Sequence, residues 1–195
     1  KLEGYEEKPT IFFEFHGTET GAKEQAEAVQ AIAEEFGGSA FQWTSKMEDR
    51  NKLWQARHDA YYAAIALRSG CQGWATDVCV PVSRLAECIN ETKDDLEKTG
   101  LISPLVGHVG DGNFHMLYIV DPNNQEEMAK AQAHSDRMVM RALEMGGTCT
   151  GEHGVGYGKI HFLTNEHGDA MSLMRSLKTA FDPDNIMNPG KIVNI

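Results

Sequence analysis

Residues 102–120 read ISPLVGHVGDGNFHMLYIV, and this stretch decides the fold of the second half of the chain. Two runs of strand-forming residues, 102–108 and 113–120, flank a glycine-rich turn, a pattern that predicts a β-hairpin. The turn would place His108 near the end of one strand and His115 near the start of the next, so that both imidazoles can point to one side. This spacing is compatible with a shared metal ion. Alternatively, both histidines are ordinary hairpin residues and the glycines only turn the chain.

Strand and helix patterns alternate before the hairpin. Residues 11–16 are rich in strand formers, residues 21–36 place apolar side chains at helical spacing, and residues 40–44 read as a second strand. A long helix is predicted from about Ser45, because Ser45 and Glu48 have the spacing of a capping box. The first part of the chain is therefore predicted to be strand, helix, strand, helix.

The second part of the chain has a similar size and composition of elements. Residues 73–80 read as a strand, and Ser83 is predicted to cap a helix over residues 84–98. The hairpin follows, and the sequence from Pro122 onward predicts a long helix that ends near residue 145. These alternating pairs predict an α+β fold, in which two ferredoxin-like units form one antiparallel sheet with helices on one face.

The remaining residues are predicted to form a helical C-terminal tail. A glycine-rich loop covers residues 151–159, a helix covers residues 170–181, and Pro183 follows the end of that helix. Residues 188–191, Asn-Pro-Gly-Lys, read as a turn that leads to a short last strand. We expect residues 1–195 to form one domain, since this length lies within the usual range.

The composition argues against several classes of protein. With 41% hydrophobic and 24% charged residues the chain is typical of globular proteins, and its net charge of -11 argues against a nucleic-acid-binding surface. No apolar run approaches the ~20 residues of a membrane span. The four cysteines include no C-x-x-C pair, so a reducing compartment is expected rather than secretion. The chain starts at Lys1, and we expect a fragment from which any targeting segment is missing.

A second run with potential chemistry is Glu152-His153, which lies between two glycines. Adjacent charged and titratable residues in a glycine-rich loop gain little from packing but are easily presented to a cavity. If the fold brings this run to the hairpin, Glu152 can ligate a divalent ion while His153 stays free to accept a proton. The alternative is a solvated loop in which Glu152 starts a helix.

Three longer motifs resemble a known family. GHVGDGNFH at 107–115, TCTGEHG at 148–154 and FDPDNIMNPGK at 181–191 closely resemble the C-terminal domain of the FAD-linked D-2-hydroxyacid dehydrogenases, flavoproteins of the vanillyl-alcohol oxidase type. LWQARH at 53–58 and TDVCVP at 76–81 look most like the D-lactate dehydrogenase branch of that family. The resemblance covers essentially the whole chain.

The resemblance implies a division of labour between two domains. In that family a separate N-terminal domain binds FAD, and this sequence contains no sign of it. The domain represented here would supply a divalent metal, zinc or manganese, and the substrate groups. The family roles fall on the metal ligands His108, His115 and Glu152, the catalytic base His153, the substrate-carboxylate group Arg57 and the flavin-side residue Asn188. From the residues alone, Arg57 is equally a salt-bridge partner on a helix surface, and Asn188 is explained by its turn.

The resemblance also implies a reaction and a substrate class. The full-length enzyme would pass hydride from a small D-2-hydroxyacid to FAD, and electrons on to an acceptor such as a cytochrome, a quinone or an electron-transfer flavoprotein. Relatives acting on 2-hydroxyglutarate carry a lysine at the position of Ala75 and an asparagine at that of Leu117, so D-lactate is favoured here. Arg68 could replace the missing cation, which keeps glycolate and 2-hydroxyglutarate as alternatives.

Two hypotheses of another class stay open. The isolated chain would be a metal-binding module without catalysis of its own, or an interaction domain in which the histidines are incidental. The expected location is the cytoplasm in a bacterium or the mitochondrion in a eukaryote. The oligomeric state is open, a homo-oligomer included.

Overall fold

A computed structural model describes residues 8–39 and 41–195 of the chain. The chain divides into two compact units, Lys1–Ala60 and Tyr61–Ile195. The boundary follows the second helix of the chain, which ends at His58. The two units differ in size, and the single domain expected from the length stays a prediction.

The first unit contains two helices, α1 (Glu19–Glu35) and α2 (Met47–His58). The hydroxyl of Thr18 caps α1 by accepting a hydrogen bond from the backbone N–H of Gly21 at 3.1 Å. The predicted capping box of α2 is wrong, because the N-cap residue is Lys46 and no side chain caps the helix. The Thr44 hydroxyl instead accepts the backbone N–H of Lys46 at 3.1 Å, which satisfies the N–H group of the N-cap residue.

The two strands predicted in the first unit are absent from its described part. Residues 11–16 and 41–44 have no strand assignment, and Ala40 of the predicted second strand lies outside the described residues. The rings of Phe13 and Phe15 stack at 6.1 Å, as same-side neighbours in an extended chain do. Strand-forming residues are those whose side chains pack well on a pleated, half-buried sheet surface. They form a strand only where a partner strand is available.

The second unit contains the described sheet, with four strands β1 (Gln72–Ala75), β2 (Val78–Cys79), β3 (Leu105–His108) and β4 (Asn113–Val120). β4 pairs antiparallel with all three of the others. β1 and β2 follow one another along β4, so the strand predicted over residues 73–80 is interrupted at Thr76 and Asp77. The α+β class is confirmed, while the described strands all belong to this one unit.

The predicted hairpin is confirmed. β3 and β4 pair directly, with Val106 opposite His115 and His108 opposite Asn113, and a short 3-10 helix, Val109–Asp111, connects them. Gly112 closes the turn with a φ of +80°, and a Cβ there would lie 2.0 Å from the carbonyl oxygen of Val80. This position therefore requires glycine for both its backbone conformation and its close approach to the neighbouring strand.

Two long helices, α4 (Val82–Glu97) and α5 (Gln125–Glu144), pack against one face of the sheet. Asn124 caps α5 by accepting the backbone N–H of Glu127 at 3.1 Å. The predicted cap of α4 is wrong, because Ser83 lies inside the first turn and the N-cap residue is Pro81. Proline supplies no side-chain acceptor, but its fixed φ suits a helix start.

Strand β4 is buried along its whole length, and its side chains alternate between two environments. Phe114, Met116, Tyr118 and Val120 join the main core under α4 and α5. Leu117 and Ile119 join a second, smaller cluster on the other face, together with Ala64 of the short helix α3 (Ala60–Ile65). By this alternation His115 belongs to the second face, away from the two long helices.

The tail contains two helices, α6 (Leu163–His167) and α7 (Ala170–Phe181), and α7 has the predicted bounds. The predicted last strand is wrong, because residues 188–195 have no strand assignment and consist of turns, bends and two unassigned residues. Asn188 and Ile192 have φ values of +49° and +62°, which a strand does not allow. Within the described part of the chain, no helix is both long and apolar enough for a membrane crossing.

Candidate metal and substrate site

The second unit brings together three of the predicted metal ligands. One ligand atom each from His108, His115 and Glu152 lies within 4.8 Å of the others. Nε2 of His115 is 2.6 Å from Oε1 of Glu152, and Nε2 of His108 is 3.9 Å from the same oxygen. The fold therefore brings Glu152 next to the hairpin histidines, although they are far apart in the sequence.

The pairing of β3 with β4 determines the positions of the two imidazoles. His108 ends β3, and His115 lies on β4 two residues beyond the partner of His108. His115 is buried, whereas the side chains of His108 and Glu152 are about half exposed. The three ligand atoms thus converge on a point that is walled by the sheet on one side and open on the other.

The contacts of His115 indicate a site for a cation. Its Nδ1 lies 2.7 Å from the backbone oxygen of Thr76, so this nitrogen carries the proton that the carbonyl accepts. The other nitrogen, Nε2, faces the carboxylate of Glu152, which is also an acceptor. A neutral imidazole can donate to only one of these two acceptors, so the contact with Glu152 needs a positive charge, which is supplied either by a second proton on the ring, as an ion pair, or by a metal cation. A divalent ion bound by His108, His115 and Glu152 meets this requirement, and a backbone carbonyl on the far nitrogen is the usual support of a ligand histidine.

His153 lies beside this group without converging on it. Its ring stacks on that of His115 with centroids 4.8 Å apart and an angle of 8° between the planes. Its Nε2 is 3.8 Å from Oε1 of Glu152, and about half of the side chain is exposed. This imidazole is positioned next to the candidate metal position and remains available for proton transfer.

A residue that the sequence reasoning did not single out, Asp77, holds the loop that carries Glu152 and His153. Its fully buried carboxylate accepts the hydroxyl of Thr150 at 2.6 Å, the backbone N–H of His153 at 2.9 Å, that of Glu152 at 3.1 Å, and the side-chain amide of Asn113 at 2.7 Å. Burial by itself would raise the pKa of the Asp77 carboxyl, but these hydrogen bonds outweigh it and hold the pKa well below its usual range.

Lys159 completes this arrangement. Its ammonium donates to the backbone oxygens of Asp77 at 2.6 Å and Cys149 at 2.7 Å, and it lies 3.5 Å from the Asp77 carboxylate. Burial lowers the pKa of the Lys159 ammonium, and the neighbouring Asp77 carboxylate opposes that shift. The sequence carried one signal for this pair, since residues 73–80 are predicted as a strand and an aspartate in a strand needs a partner wherever that strand is buried.

Comparison with known proteins places the chain in a family. Residues 2–192 match the sequence model of the family described as FAD linked oxidases, C-terminal domain. The chain belongs to this family. The expectation drawn from the three long motifs is thereby confirmed.

Individual relatives of the FAD-linked oxidase C-terminal domain carry related names. A probable mitochondrial D-lactate dehydrogenase from Danio rerio is 49% identical over 98% of this chain and 39% of its own length. A mitochondrial D-lactate dehydrogenase (cytochrome) from Arabidopsis thaliana is 44% identical over 96% of this chain and 33% of its own length. A glycolate oxidase subunit GlcD from Bacillus subtilis is 32% identical over 95% of this chain and 39% of its own length. The chain therefore spans well under half the length of these relatives.

Arg57 stays a predicted substrate group of this family domain. It belongs to the last turn of α2, in the first unit, and is partly buried. Its guanidinium makes no hydrogen bond or ion pair with a residue that the structure describes in that unit. The alternative, a salt bridge on the helix surface, finds no support among the described contacts.

Asn188 also stays a predicted flavin-side residue. It is exposed, its backbone is left-handed, and its carbonyl accepts the backbone N–H of Lys191 at 3.2 Å. Asparagine tolerates this conformation better than most residues, so the turn accounts for its presence.

The positions that bear on the substrate lie on the His115 face of the sheet. Ala75 and Leu117 are direct partners in the pairing of β1 with β4, and Leu117 is two residues from His115. Directly opposed residues point to the same face, so an apolar pair lies next to the histidine. Arg68, the alternative cation, forms an ion pair with Glu127. Glu127 also accepts the backbone N–H of Asp121, so Arg68 is committed to this local structure.

Proposed function

We propose that this chain is the metal- and substrate-binding part of a flavin-dependent dehydrogenase that oxidises a D-2-hydroxyacid, with D-lactate as its substrate. The observation that carries the proposal is the convergence of His108, His115 and Glu152, with His153 stacked beside them. The family and the D-lactate dehydrogenase relatives support it. Because the chain covers only 33–39% of those relatives, the activity belongs to a longer protein.

The donor set would hold zinc or manganese. Two imidazoles and one carboxylate bind both ions and leave coordination positions for a substrate or water. When bound, the divalent ion supplies Lewis acidity to the substrate hydroxyl, and FAD supplies the hydride acceptor.

His153 would act as the general base. In the oxidation of a hydroxyacid the C2 hydroxyl must lose its proton as hydride leaves C2, and an uncommitted imidazole beside the candidate metal position can take that proton. The stacking of His153 on the buried ring of His115 fixes the plane of the base. The backbone N–H of His153 donates a hydrogen bond to Asp77, and this bond holds the loop that carries the base.

Arg57 would bind the substrate carboxylate, because its planar guanidinium offers two parallel donors to two oxygens. Holding the carboxylate orients C2 and contributes through positioning. Asn188 would lie on the flavin side of the assembled site.

The apolar pair Ala75 and Leu117 supports a small monocarboxylate over a dicarboxylate. A second carboxylate near His115 would lie against two side chains that offer neither a cation nor a hydrogen bond. Glycolate is the second candidate substrate, and the observation in its favour is the GlcD relative at 32% identity.

The electron acceptor would be a cytochrome, as the name of the Arabidopsis relative indicates for that protein. A quinone or an electron-transfer flavoprotein would serve the same chemistry. The relatives named as mitochondrial support a mitochondrial location if the protein is eukaryotic, and the cytoplasm is the proposal for a bacterial protein.

The test uses the full-length protein and the isolated chain side by side. We expect the full-length protein to contain FAD and close to one divalent ion, measured by absorbance and elemental analysis, and to reduce an artificial acceptor with D-lactate faster than with glycolate or 2-hydroxyglutarate. The isolated chain should bind the metal without flavin and without turnover. A full-length protein that contains flavin but oxidises none of these hydroxyacids would contradict the proposal. Metal stoichiometry near zero in a folded sample at saturating Zn²⁺ or Mn²⁺ would contradict the role of the three ligands.

A further inference from the structure

One carboxylate, that of Asp77, accepts three hydrogen bonds from the loop between Thr150 and His153. Oδ2 of Asp77 receives the Thr150 hydroxyl and the consecutive backbone N–H groups of Glu152 and His153. Two consecutive amides on one oxygen fix the direction of the peptide between them. That peptide joins the proposed metal ligand to the proposed base.

The other carboxylate oxygen ties the same group to the hairpin. Oδ1 of Asp77 receives the side-chain amide of Asn113, the first residue of β4 and the partner of His108 in the sheet. Oδ1 also lies 3.9 Å from Nδ1 of His115. The carboxylate therefore contacts or adjoins both segments that supply the ligands.

The loop packs closely against Asn113 and Asp77 at Gly151. A Cβ at Gly151 would lie 2.1 Å from Nδ2 of Asn113 and 3.1 Å from Oδ1 of Asp77, so glycine is needed for the loop to reach the carboxylate. Lys159 holds the same loop from its other end, because its ammonium bridges the backbone oxygens of Cys149 and Asp77. Removal of either partner of this buried ion pair would leave the other charge buried without compensation.

We propose that Asp77, held by Lys159, is the positioning residue of the site: it sets Glu152 as a ligand and His153 as a base on a single peptide. This inference rests on the proposed function. Asp77 is not one of the three proposed metal ligands, and it acts through the backbone of the proposed ligand Glu152 and the proposed base His153. Neutral asparagine at this position would present N–H groups to donors and could not accept all four hydrogen bonds.

The first experiment measures Mn²⁺ affinity in the full-length protein by electron paramagnetic resonance of free and bound Mn²⁺. Asp77→Asn should weaken binding by about 10- to 100-fold, the range found when groups that support metal ligands are removed. The double variant Asp77→Asn/Lys159→Met restores the charge balance but not the acceptors, and it should stay equally weak. Full recovery in the double variant would overturn the hydrogen-bonding role.

Asp182→Asn is the matched control. Asp182 is also a buried carboxylate that accepts two backbone N–H groups, those of Ile186 and Met187, and pairs with Lys178. Its loss should change Mn²⁺ affinity by less than about threefold, since it caps the tail and touches no proposed ligand. Equal losses in both variants would mean that general loosening explains the result, and the proposal would fall.

The second experiment does not depend on the metal. Hydrogen-exchange mass spectrometry of a peptide covering residues 150–155 reports the amides of Glu152 and His153, which should exchange at least about tenfold faster in Asp77→Asn than in the unmodified protein. Unchanged exchange would overturn the proposal even if metal binding falls. If the unmodified protein binds no Mn²⁺, the proposed function fails, and the exchange result still decides the role of Asp77.

Thr150→Val covers the case in which Asp77→Asn does not fold. It removes one hydrogen bond to the carboxylate and leaves the charge and the backbone contacts in place. Mn²⁺ affinity should fall by about 3- to 10-fold, in line with the loss of one hydrogen bond to a charged group. A Thr150→Val protein with unchanged affinity and unchanged exchange would contradict the positioning role.

Discussion

Two histidines of the second unit, His115 and His134, share one type of contact but differ in the roles that we assign to them. Each points one ring nitrogen at a backbone oxygen: Nδ1 of His115 at Thr76, at 2.7 Å, and Nε2 of His134 at Thr92, at 3.1 Å. Both are buried. The difference lies in what the second nitrogen meets.

Nδ1 of His134 meets the hydroxyl of Tyr118 at 2.5 Å, and a hydroxyl can donate. A neutral His134 is therefore fully satisfied inside the protein, and burial lowers its pKa, which favours that neutral form. Nε2 of His115 meets the carboxylate of Glu152 instead, and a carboxylate accepts but does not donate. The comparison teaches that a carbonyl and a hydroxyl together satisfy a buried neutral histidine, whereas a histidine between two acceptors needs a positive charge, from a second proton or from a metal ion.

The largest effect that tests this comparison is expected at His153. His153→Ala in the full-length enzyme should lower kcat by about 10²- to 10⁴-fold, the usual contribution of a general base. Metal content should stay unchanged, because His153 does not converge with the three ligands. Stopped-flow reduction of the flavin by D-lactate, together with elemental analysis, measures both quantities. Unchanged turnover would remove His153 from the role of base.

The next effect is on stability and concerns the other histidine. His134→Ala should lower the free energy of unfolding by roughly 3 kcal/mol, because it leaves a cavity and strands the Tyr118 hydroxyl and the Thr92 carbonyl. Urea unfolding followed by circular dichroism measures this change.

The same variant should keep its Mn²⁺ affinity within about threefold, since His134 of α5 contacts Tyr118 on the face of β4 opposite to His115. A His134→Ala protein of unchanged stability that has lost its metal would reverse the roles given to the two histidines.

A smaller effect is expected in substrate preference. Ala75→Lys adds a cation on the His115 face of β1 and should raise kcat/KM for 2-hydroxyglutarate relative to D-lactate by about tenfold. Gln72→Lys is the matched control, because Gln72 is an exposed residue of the same strand whose side chain alternates to the other face. Equal shifts in both variants would show a general charge effect and no pocket contact.

The smallest effect is a pH dependence. The pKa of His134 is lowered in the folded protein, chiefly by burial, so the unfolded chain binds the proton more readily than the folded one. The stability contribution is present above the ordinary value of 6.5 and is lost as the pH falls through the lowered folded value. Urea unfolding at several pH values between 7.5 and 5 measures this loss.

His134→Gln should flatten the same profile in this range, because the titrating group is then absent. The pKa of Asp95 is also lowered, chiefly by its hydrogen bond from Arg137, but that contribution is lost only as the pH falls below 3.8. A profile that keeps its full slope in His134→Gln would assign the dependence to another group.

Local sequence patterns predicted the parts of the fold that local chemistry controls. The hairpin followed from two strand-forming runs around a glycine-rich turn, and α7 followed from its apolar spacing. The strands predicted at residues 11–16 and 40–44 have the same kind of composition as β4 but no strand assignment in the described residues. The two predicted segments and β4 share a strand-forming composition, but within the described residues only β4 has partner strands. Hydrogen bonding to those partners makes it a strand.

The sequence by itself determined the residue types of the site: two histidines at the two ends of a hairpin turn, and a glutamate-histidine pair between glycines. The tertiary structure alone decided that they converge, because Glu152 reaches His115 only through the loop that Asp77 holds from 73 to 76 residues away. It also distinguished His115 from His134, whose second nitrogens differ in a partner that no local pattern encodes. Hydrogen bonds over such separations depend on the packing of the whole unit, so they lie beyond any reading of short stretches of the chain.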